Sequence, residues 1–459
     1  MRRSPAMCLV GAASDLALRS ATLLVLAFVA RSDVRAEPVL LQAGTANVDI
    51  TPEPHAAFDL AGRPLAPRDT LYARVLTLDD GAVRLAVVSV DLIVFASPRV
   101  AAEAKRRFNL DHVIQCATHT HAGAAPRGLW IQPPTRPDWT RDGRDPAAIV
   151  DWDGLSADPW YASVEEKIVG AIGEALRTAF PARLVAGKSS YVGAYMAHNR
   201  RLVRPDGGVT ALWENPDRRP TQPVDPTVGV IRVDDATGKL RALAVHYACH
   251  PVATMGAGAV SRDFPGAMAD YVEQQAGPDC LAMFLQGASG DLDPYDLHNL
   301  RGENRFNVPR QAGISLGRAA LRTAEDLDRT SVAAAGAIRI DASMVNIPHR
   351  RGGGVSEVGV STVVIGRDLA LTAVPGEPFV RHQLDLTARS PAANTFLLGL
   401  AYHGRGSPFV IYLPTAQAVR EGGYGATECS FLAADAGATL VGRAIEQLRN
   451  TAHAAAPVR

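Results

Sequence analysis

The segment Cys116–Pro126, CATHTHAGAAP, places His119 and His121 one residue apart, at the end of an apolar run and ahead of a Gly/Ala-rich turn. Imidazole nitrogens suit metal binding and proton transfer. Three further strand-like runs end in residues of similar use: LRALAVHYAC delivers His250 before Pro251, DLALTAVP delivers Glu377, and PFVIY ends at Tyr412. In sheet proteins, loops beyond strand ends are where ligand groups gather, so four such endings point to one site built from distant sequence. A zinc ion there would need nitrogen and oxygen donors at about 2 Å in a roughly tetrahedral array, with one position open to water if the site is catalytic.

Spacing alone leaves the assignment open. Two histidines one residue apart on an extended segment face opposite ways, so one would be the ligand and the other would face substrate or support the ligands. His246 and His250, four residues apart in HYACHP, fall on one side of a strand and pose the same choice. A strand-end histidine is more often simply hydrogen-bonded than metal-bound. Ser289 in GASG misses the G-x-S-x-G elbow by one position and reads as a turn serine. Asp291 and Asp293, alternating in FLQGASGDLDP, either orient a histidine or bind a cation, or else cap the turn. Arg200 and Arg201 in AHNRRLVRPDG offer planar forks for a carboxylate or polarised oxygen, although loop arginines commonly face solvent. Asp263 stands just ahead of a helix in SRDFPGAMADYVE, where a carboxylate suits the helix N-terminus without any catalysis.

The elements that must carry these residues read as α/β. The runs LYARVLTL and VRLAVVSVDLIVF are strands separated by a DDG turn, PRVAAEAKRRF is a helix, and HVIQCATH is the strand that brings His119. ASVEEKIVGAIGEALRTAF has apolar positions at helical spacing and precedes the strand ARLVAGKSSYVG. Later come an irregular stretch, DLDPYDLHNLRGENRFNVPRQ, the helix AGISLGRAALRTAEDL, the strands VSTVVIGRDLALTAV and NTFLLGLAYHG, and a closing helix, FLAADAGATLVGRAIEQLRN. Residues 127–160 are rich in Pro, Asp and Trp without periodicity and are expected to form a lid, because they follow the histidine pair.

Of 459 residues, 47 are Lys or Arg and 47 Asp or Glu, and no basic stripe with interleaved aromatics occurs, which excludes a nucleic-acid binder. Arg2, Arg3 and Arg19 precede the apolar run ATLLVLAFVA, and VRA before Glu37 resembles a cleavage site, so residues 1–36 are expected to be a signal peptide and 37–459 one catalytic domain, exported to the periplasm or beyond. Cys116, Cys249, Cys280 and Cys429 contain no C-x-x-C pair, which excludes a cysteine zinc knuckle and leaves disulfide pairing open.

Taken in order, GTANVDITP (Gly44–Pro52), ATHTHAG, HNR, HYACHP with the later DFPG, QGASGDLDP, PGEP and IYLPTAQAVREGGYGATE resemble the neutral/alkaline non-lysosomal ceramidase family, over residues 43–450. The resemblance implies an amidohydrolase that cleaves an N-acyl amide, ceramide or a related lipid amide, with water activated by a single zinc. It implies His119, His250, Glu377 and Tyr412 as the zinc ligands, which removes His121 and His246 from that role. His121, Arg200 and Tyr424 match positions lining the polar head of the substrate, and Gly62 in LAGR matches a glycine whose backbone approaches it closely. Asp293 stands where the family has a serine, so a covalent serine mechanism is closed at that position; it joins His121, Arg200 and Tyr424 as a candidate catalytic residue. The immunoglobulin-like C-terminal domain of the family's archetypal members is not expected after the catalytic domain. The expected partner is a small-molecule or lipid amide, with transient contact with a membrane surface compatible with such a substrate. Alternatives are a zinc hydrolase of the same scaffold acting on a different amide or ester, and a secreted binding protein without catalysis.

Overall fold

The computed structural model describes residues 41–126, 129, 152–191, 196–296, 300–327, 337–350, 352, 354–402 and 410–453. The segment expected to be a signal peptide and most of the expected lid lie outside them. The chain opens with strand β1 (Leu41–Asp49), followed by β2 (Tyr72–Asp79) and β3 (Arg84–Val90), which meet at the DDG turn. Helix α1 (Pro98–Phe108) begins where Ser97 Oγ accepts the Val100 N–H at 3.0 Å, and it ends at Asn109 in a left-handed conformation. There follow β4 (His112–Ala117), the short α2 (Trp152–Leu155), α3 (Pro159–Arg177), β5 (Phe180–Ser189) and three short strands, β6 (Ala197–Asn199), β7 (Arg201–Val203) and β8 (Val209–Ala211). The middle of the chain supplies β9 (Val228–Asp235), β10 (Leu240–Tyr247), α4 (Asp263–Ala276), β11 (Leu281–Gln286), β12 (Leu292–Pro294) and α5 (Asn304–Asp326). The last part gives β13 (Ile338–Pro348), β14 (Val355–Ile365), β15 (Leu369–Ala373), β16 (Glu377–Pro378), α6 (Val380–Arg389), β17 (Asn394–Leu398), β18 (Ala401–Tyr402), β19 (Tyr412–Leu413), α7 (Ala416–Glu421) and α8 (Ala436–His453).

Nine strands form the principal sheet in the order β11-β10-β9-β5-β1-β2-β3-β4-β18, and four form a second sheet, β13-β14-β15-β17. Both are mixed: β10 with β11, β3 with β4, and β15 with β17 run parallel, while the other neighbours are antiparallel. Strand alternation assigns the faces. On β2, Val75 packs with Val164, Ile168 and Ile172 of α3, whereas its neighbours Leu76 and Leu78 pack with Leu371 and Phe396 of the second sheet. On β10, Leu243 and Val245 meet Met268 of α4 and Leu316 of α5, whereas Ala242 and Ala244 face the second sheet. The far side of that sheet carries Val358 and Val360 against Leu440, Ala444 and Leu448 of α8. The result is four layers: helices, nine-stranded sheet, four-stranded sheet, helices. Each fully buried Val, Ile or Leu in these seams stabilises the fold by about 1.5–3 kcal/mol. Residues Pro38–Arg459 form one compact unit.

One detail departs from the sequence reading. The stretch taken as irregular before α5 is helical from Asn304, and Pro309 lies inside that helix. Pro309 lies beyond the first turn of the helix, so its missing N–H forgoes one intrahelical bond, to the Arg305 carbonyl. The four cysteines are buried and free, packed as small apolar side chains. No helix among the described residues is long and apolar enough to cross a membrane.

Candidate metal centre

The centre forms where the principal sheet, the loops after β4, β10 and β11, and the small β16–β19 pair meet. Strand β4 stops at Ala117; beyond it the Thr118 and His119 N–H groups donate to Val90 and Leu92 carbonyls, so the chain still tracks β3. His119 then adopts φ +69°, and His121 donates its N–H to the Pro251 carbonyl at 3.1 Å. This turn corrects the alternation argument. The segment is not extended at the histidines, and the two Nε2 atoms come within 3.3 Å of each other instead of facing apart.

His250 lies beyond the end of β10, its N–H on the Leu292 carbonyl at 3.0 Å. Glu377 reaches the site through the two-residue strand β16, which pairs in parallel with β19 in a register that sets Glu377 beside Tyr412. The loop before β12 presses against it: a Cβ on Gly290 would lie 2.4 Å from the Glu377 carbonyl oxygen, so this close approach requires glycine.

The ring hydrogen bonds fix the direction of the lone pairs. His119 Nδ1 is 2.7 Å from the Ile93 carbonyl and His250 Nδ1 is 2.6 Å from the Ser289 carbonyl, so both Nδ1 atoms carry the proton and donate. In the neutral rings both Nε2 atoms are then lone-pair acceptors, and they face another acceptor. Glu377 Oε2 lies 2.9 Å from His250 Nε2 and 3.4 Å from His119 Nε2. Acceptors converging on acceptors at 1–3% exposure are reconciled by a cation between them or by a proton on one of the rings. The spacings also suit one: a tetrahedral ion with bonds of about 2.0–2.1 Å separates its donors by roughly 3.3 Å. The ring nitrogens of His119, His121 and His250 all lie within 4.8 Å of one another, a group able to hold a metal. Burial works against the charge of Glu377, but His119 and His250 in their protonated forms outweigh it and hold its carboxyl well below the usual range. Burial, with His119 and His250 adding to it, pushes His121 well below its ordinary value and keeps it neutral.

Tyr412, Tyr424 and Arg200 make the adjoining wall. The Tyr412 ring is 6.4 Å from His250 and 5.5 Å from Tyr424, and Trp213 stands edge-on to Tyr424 at 4.8 Å. The Arg200 guanidinium lies 5.0–5.5 Å from the centroids of all three aromatic rings. It donates from Nη1 to Asp293 Oδ1 at 3.0 Å and from Nη2 to the Gly290 carbonyl at 2.5 Å. Asp293 Oδ1 is also 3.6 Å from His250 Nδ1, so the ion pair borders the histidine cluster. Burial raises the Tyr412 phenol well above its ordinary value and pushes the Tyr424 phenol up to about 12, so Tyr424 keeps its proton at neutral pH.

His119, His121, His250, Glu377, Tyr412, Tyr424, Arg200 and Asp293 thus come together. Gly62 does not join them in any described contact: it sits on the exposed Asp59–Arg63 turn, where a Cβ would meet open space, and its φ of +74° is what calls for glycine. His246 faces the second sheet from within β10 and bonds the Leu397 carbonyl at 2.9 Å. Because β10 ends at Tyr247, alternation does not carry its side to His250. Asp263 caps its own helix and accepts both the N–H and the hydroxyl of Thr254, which is the structural reading of that residue. Ser289 serves the site through its carbonyl, and Trp213 belongs to it without having been singled out; an aromatic in WENP was its trace in the sequence. Arg201, offered with Arg200 as a planar fork, is spent instead on the carbonyls of Ala418 and Gly422 and on Glu421.

No protein-family model and no curated protein matches the chain. Among solved structures, the crystal structure of neutral ceramidase from Pseudomonas aeruginosa superposes with a TM-score of 0.70 over 92% of this chain and 76% of that one, at 16% identity. A ceramidase complexed with C2 gives a TM-score of 0.69 over 91% and 76%, also at 16% identity. The chain therefore has the neutral ceramidase fold.

Proposed function

We propose that this chain is a zinc-dependent hydrolase of N-acyl amides, acting on ceramide or a related lipid amide. The observation that carries the reading is the set of inward acceptors, His119 Nε2, His250 Nε2 and Glu377 Oε2, fixed by carbonyl bonds to both Nδ1 atoms on a fold shared with a ceramidase. Those three residues would hold the ion, with Tyr412, beside Glu377 in the β16–β19 pair, as the fourth ligand. Bound zinc would polarise the amide carbonyl and acidify a water toward neutrality. His121, held neutral beside the cluster, would take a proton from the attacking water and pass it to the leaving nitrogen as the C–N bond breaks. Tyr424, still protonated, donates to the developing oxyanion, a contribution of about 3 kcal/mol for a preorganised donor.

The test is direct. Purified protein is expected to contain about one zinc per chain and to release fatty acid from a long-chain N-acyl amide. His250→Ala is expected to lose the zinc and to lower turnover about a thousandfold, the several kcal/mol that such an ion contributes. His121→Ala is expected to keep the zinc and lose turnover. A His250→Ala protein free of zinc and fully active would end the proposal.

A further inference from the structure

Among the described residues, the hydrolase reading leaves Asp293 without an assigned task. Asp293 is 1% exposed and Arg200 3%, and both are fixed in place by backbone pairing. In β12, Leu292 and Asp293 pair with Asn199 and His198 of β6, and the Arg200 N–H donates to the Asp291 carbonyl at 2.9 Å. The guanidinium spends Nη1 on Asp293 and Nη2 on Gly290, its Nε is buried without a partner, and Trp213, Tyr412 and Tyr424 surround it. Its charge is already answered by a carboxylate at 3.0 Å. The second oxygen of that carboxylate, Oδ2, is buried and without a partner. Buried carboxylate oxygens are nearly always satisfied, and one left open beside a reaction centre is an acceptor waiting for a donor.

We propose, resting on the amide-hydrolase reading, that Asp293 is the specificity-determining residue of the site. By occupying Arg200 it rejects an amide whose amine half carries a carboxylate, and it admits one whose amine half offers a hydroxyl or ammonium hydrogen to Oδ2. A substrate carboxylate placed here would meet Asp293 rather than a free guanidinium, and like charges in apposition are strongly discriminated against.

The experiment compares zinc-loaded wild type, Asp293→Asn and Asp293→Ser on two amides with the same acyl chain, an N-acyl ethanolamide and an N-acyl glycine. Wild type is expected to favour the ethanolamide by at least about tenfold in kcat/KM, as for a like-charge clash. Both variants are expected to shift that ratio toward the glycine conjugate by a similar factor, chiefly through KM, with zinc content unchanged. Arg200→Gln, which strands Asp293 instead, is expected to move preference toward an N-acyl ethylenediamine; it keeps the proposal open to refutation if the Asp293 variants fail to fold. A ratio near one in wild type, or a ratio that the folded, zinc-loaded variants leave unmoved, overturns the proposal while the hydrolase reading stands. If wild type hydrolyses no amide, the hydrolase reading falls, and calorimetric binding of the same compounds decides: a shift toward the glycine conjugate in Asp293→Asn supports the assignment, and no shift overturns it.

Discussion

His119 shows how much one backbone angle decides. A strand continued through residue 121 would have sent the two imidazoles to opposite faces; φ of +69° at His119 folds them onto one centre, at the cost of a conformation that non-glycine residues rarely adopt. His246 shows the opposite case, a histidine that obeys its strand and is lost to the sheet interface. Burial depresses it to about 4 from 6.5, and its bond to Leu397 only partly restores it. The unfolded chain takes up its proton at higher pH than the folded one, so this residue lowers stability as pH falls from 6.5 to about 4. The shift corresponds to about 3 kcal/mol over that window. In urea unfolding, the stability advantage of wild type over His246→Gln is therefore expected to narrow on going from pH 7 to pH 4.5; an advantage constant across the window would refute the assignment. The residue types at the centre were legible in the sequence, but Ser289 was read for its hydroxyl, whereas the structure uses its carbonyl to orient His250.

Among the elements, the smallest carry the site. Strands β16 and β19 have two residues each, yet their pairing sets Glu377 against Tyr412. Arg201 does similar work for Tyr424. Its guanidinium donates to the carbonyls of Gly422 at 2.9 Å and Ala418 at 3.2 Å and pairs with Glu421 at 3.1 Å, gripping the C-terminal end of α7 and the turn that leads to Tyr424. A cation on the last carbonyls of a helix is favourable by satisfaction and by the helix dipole. Arg201→Met is expected to destabilise the protein by about 1–3 kcal/mol through the abandoned carbonyls and the half-buried Glu421 charge. It is also expected to speed amide hydrogen exchange of residues 422–427 at least tenfold while β10 and β11 exchange as before. Unchanged exchange there would show that other contacts hold the turn. Elements with strong periodicity, such as α1 and α3, were readable in advance, whereas β16 and β19 had no pattern to read, because two residues have no period.

For the whole molecule, the centre joins the ends of segments from every part of the chain, so a ligand that binds it binds only the folded state. Zinc is accordingly expected to raise Tm by several degrees, since free ligand at about a thousand times Kd adds about 4 kcal/mol. Chelation should lower the melting temperature of wild type and leave that of Glu377→Gln untouched; equal responses would place the ion elsewhere. By itself the sequence determined the layers: apolar alternation and helical spacing dictate which elements form and which faces they bury, because those periods are local. It also supplied the order of motifs that pointed to an amide hydrolase. The tertiary structure alone decided which histidines meet, that Glu377 closes on them, and that Arg200 is already answered by Asp293. Those outcomes rest on strand register, a left-handed turn and the close backbone contact at Gly290, all set by residues far apart in the chain.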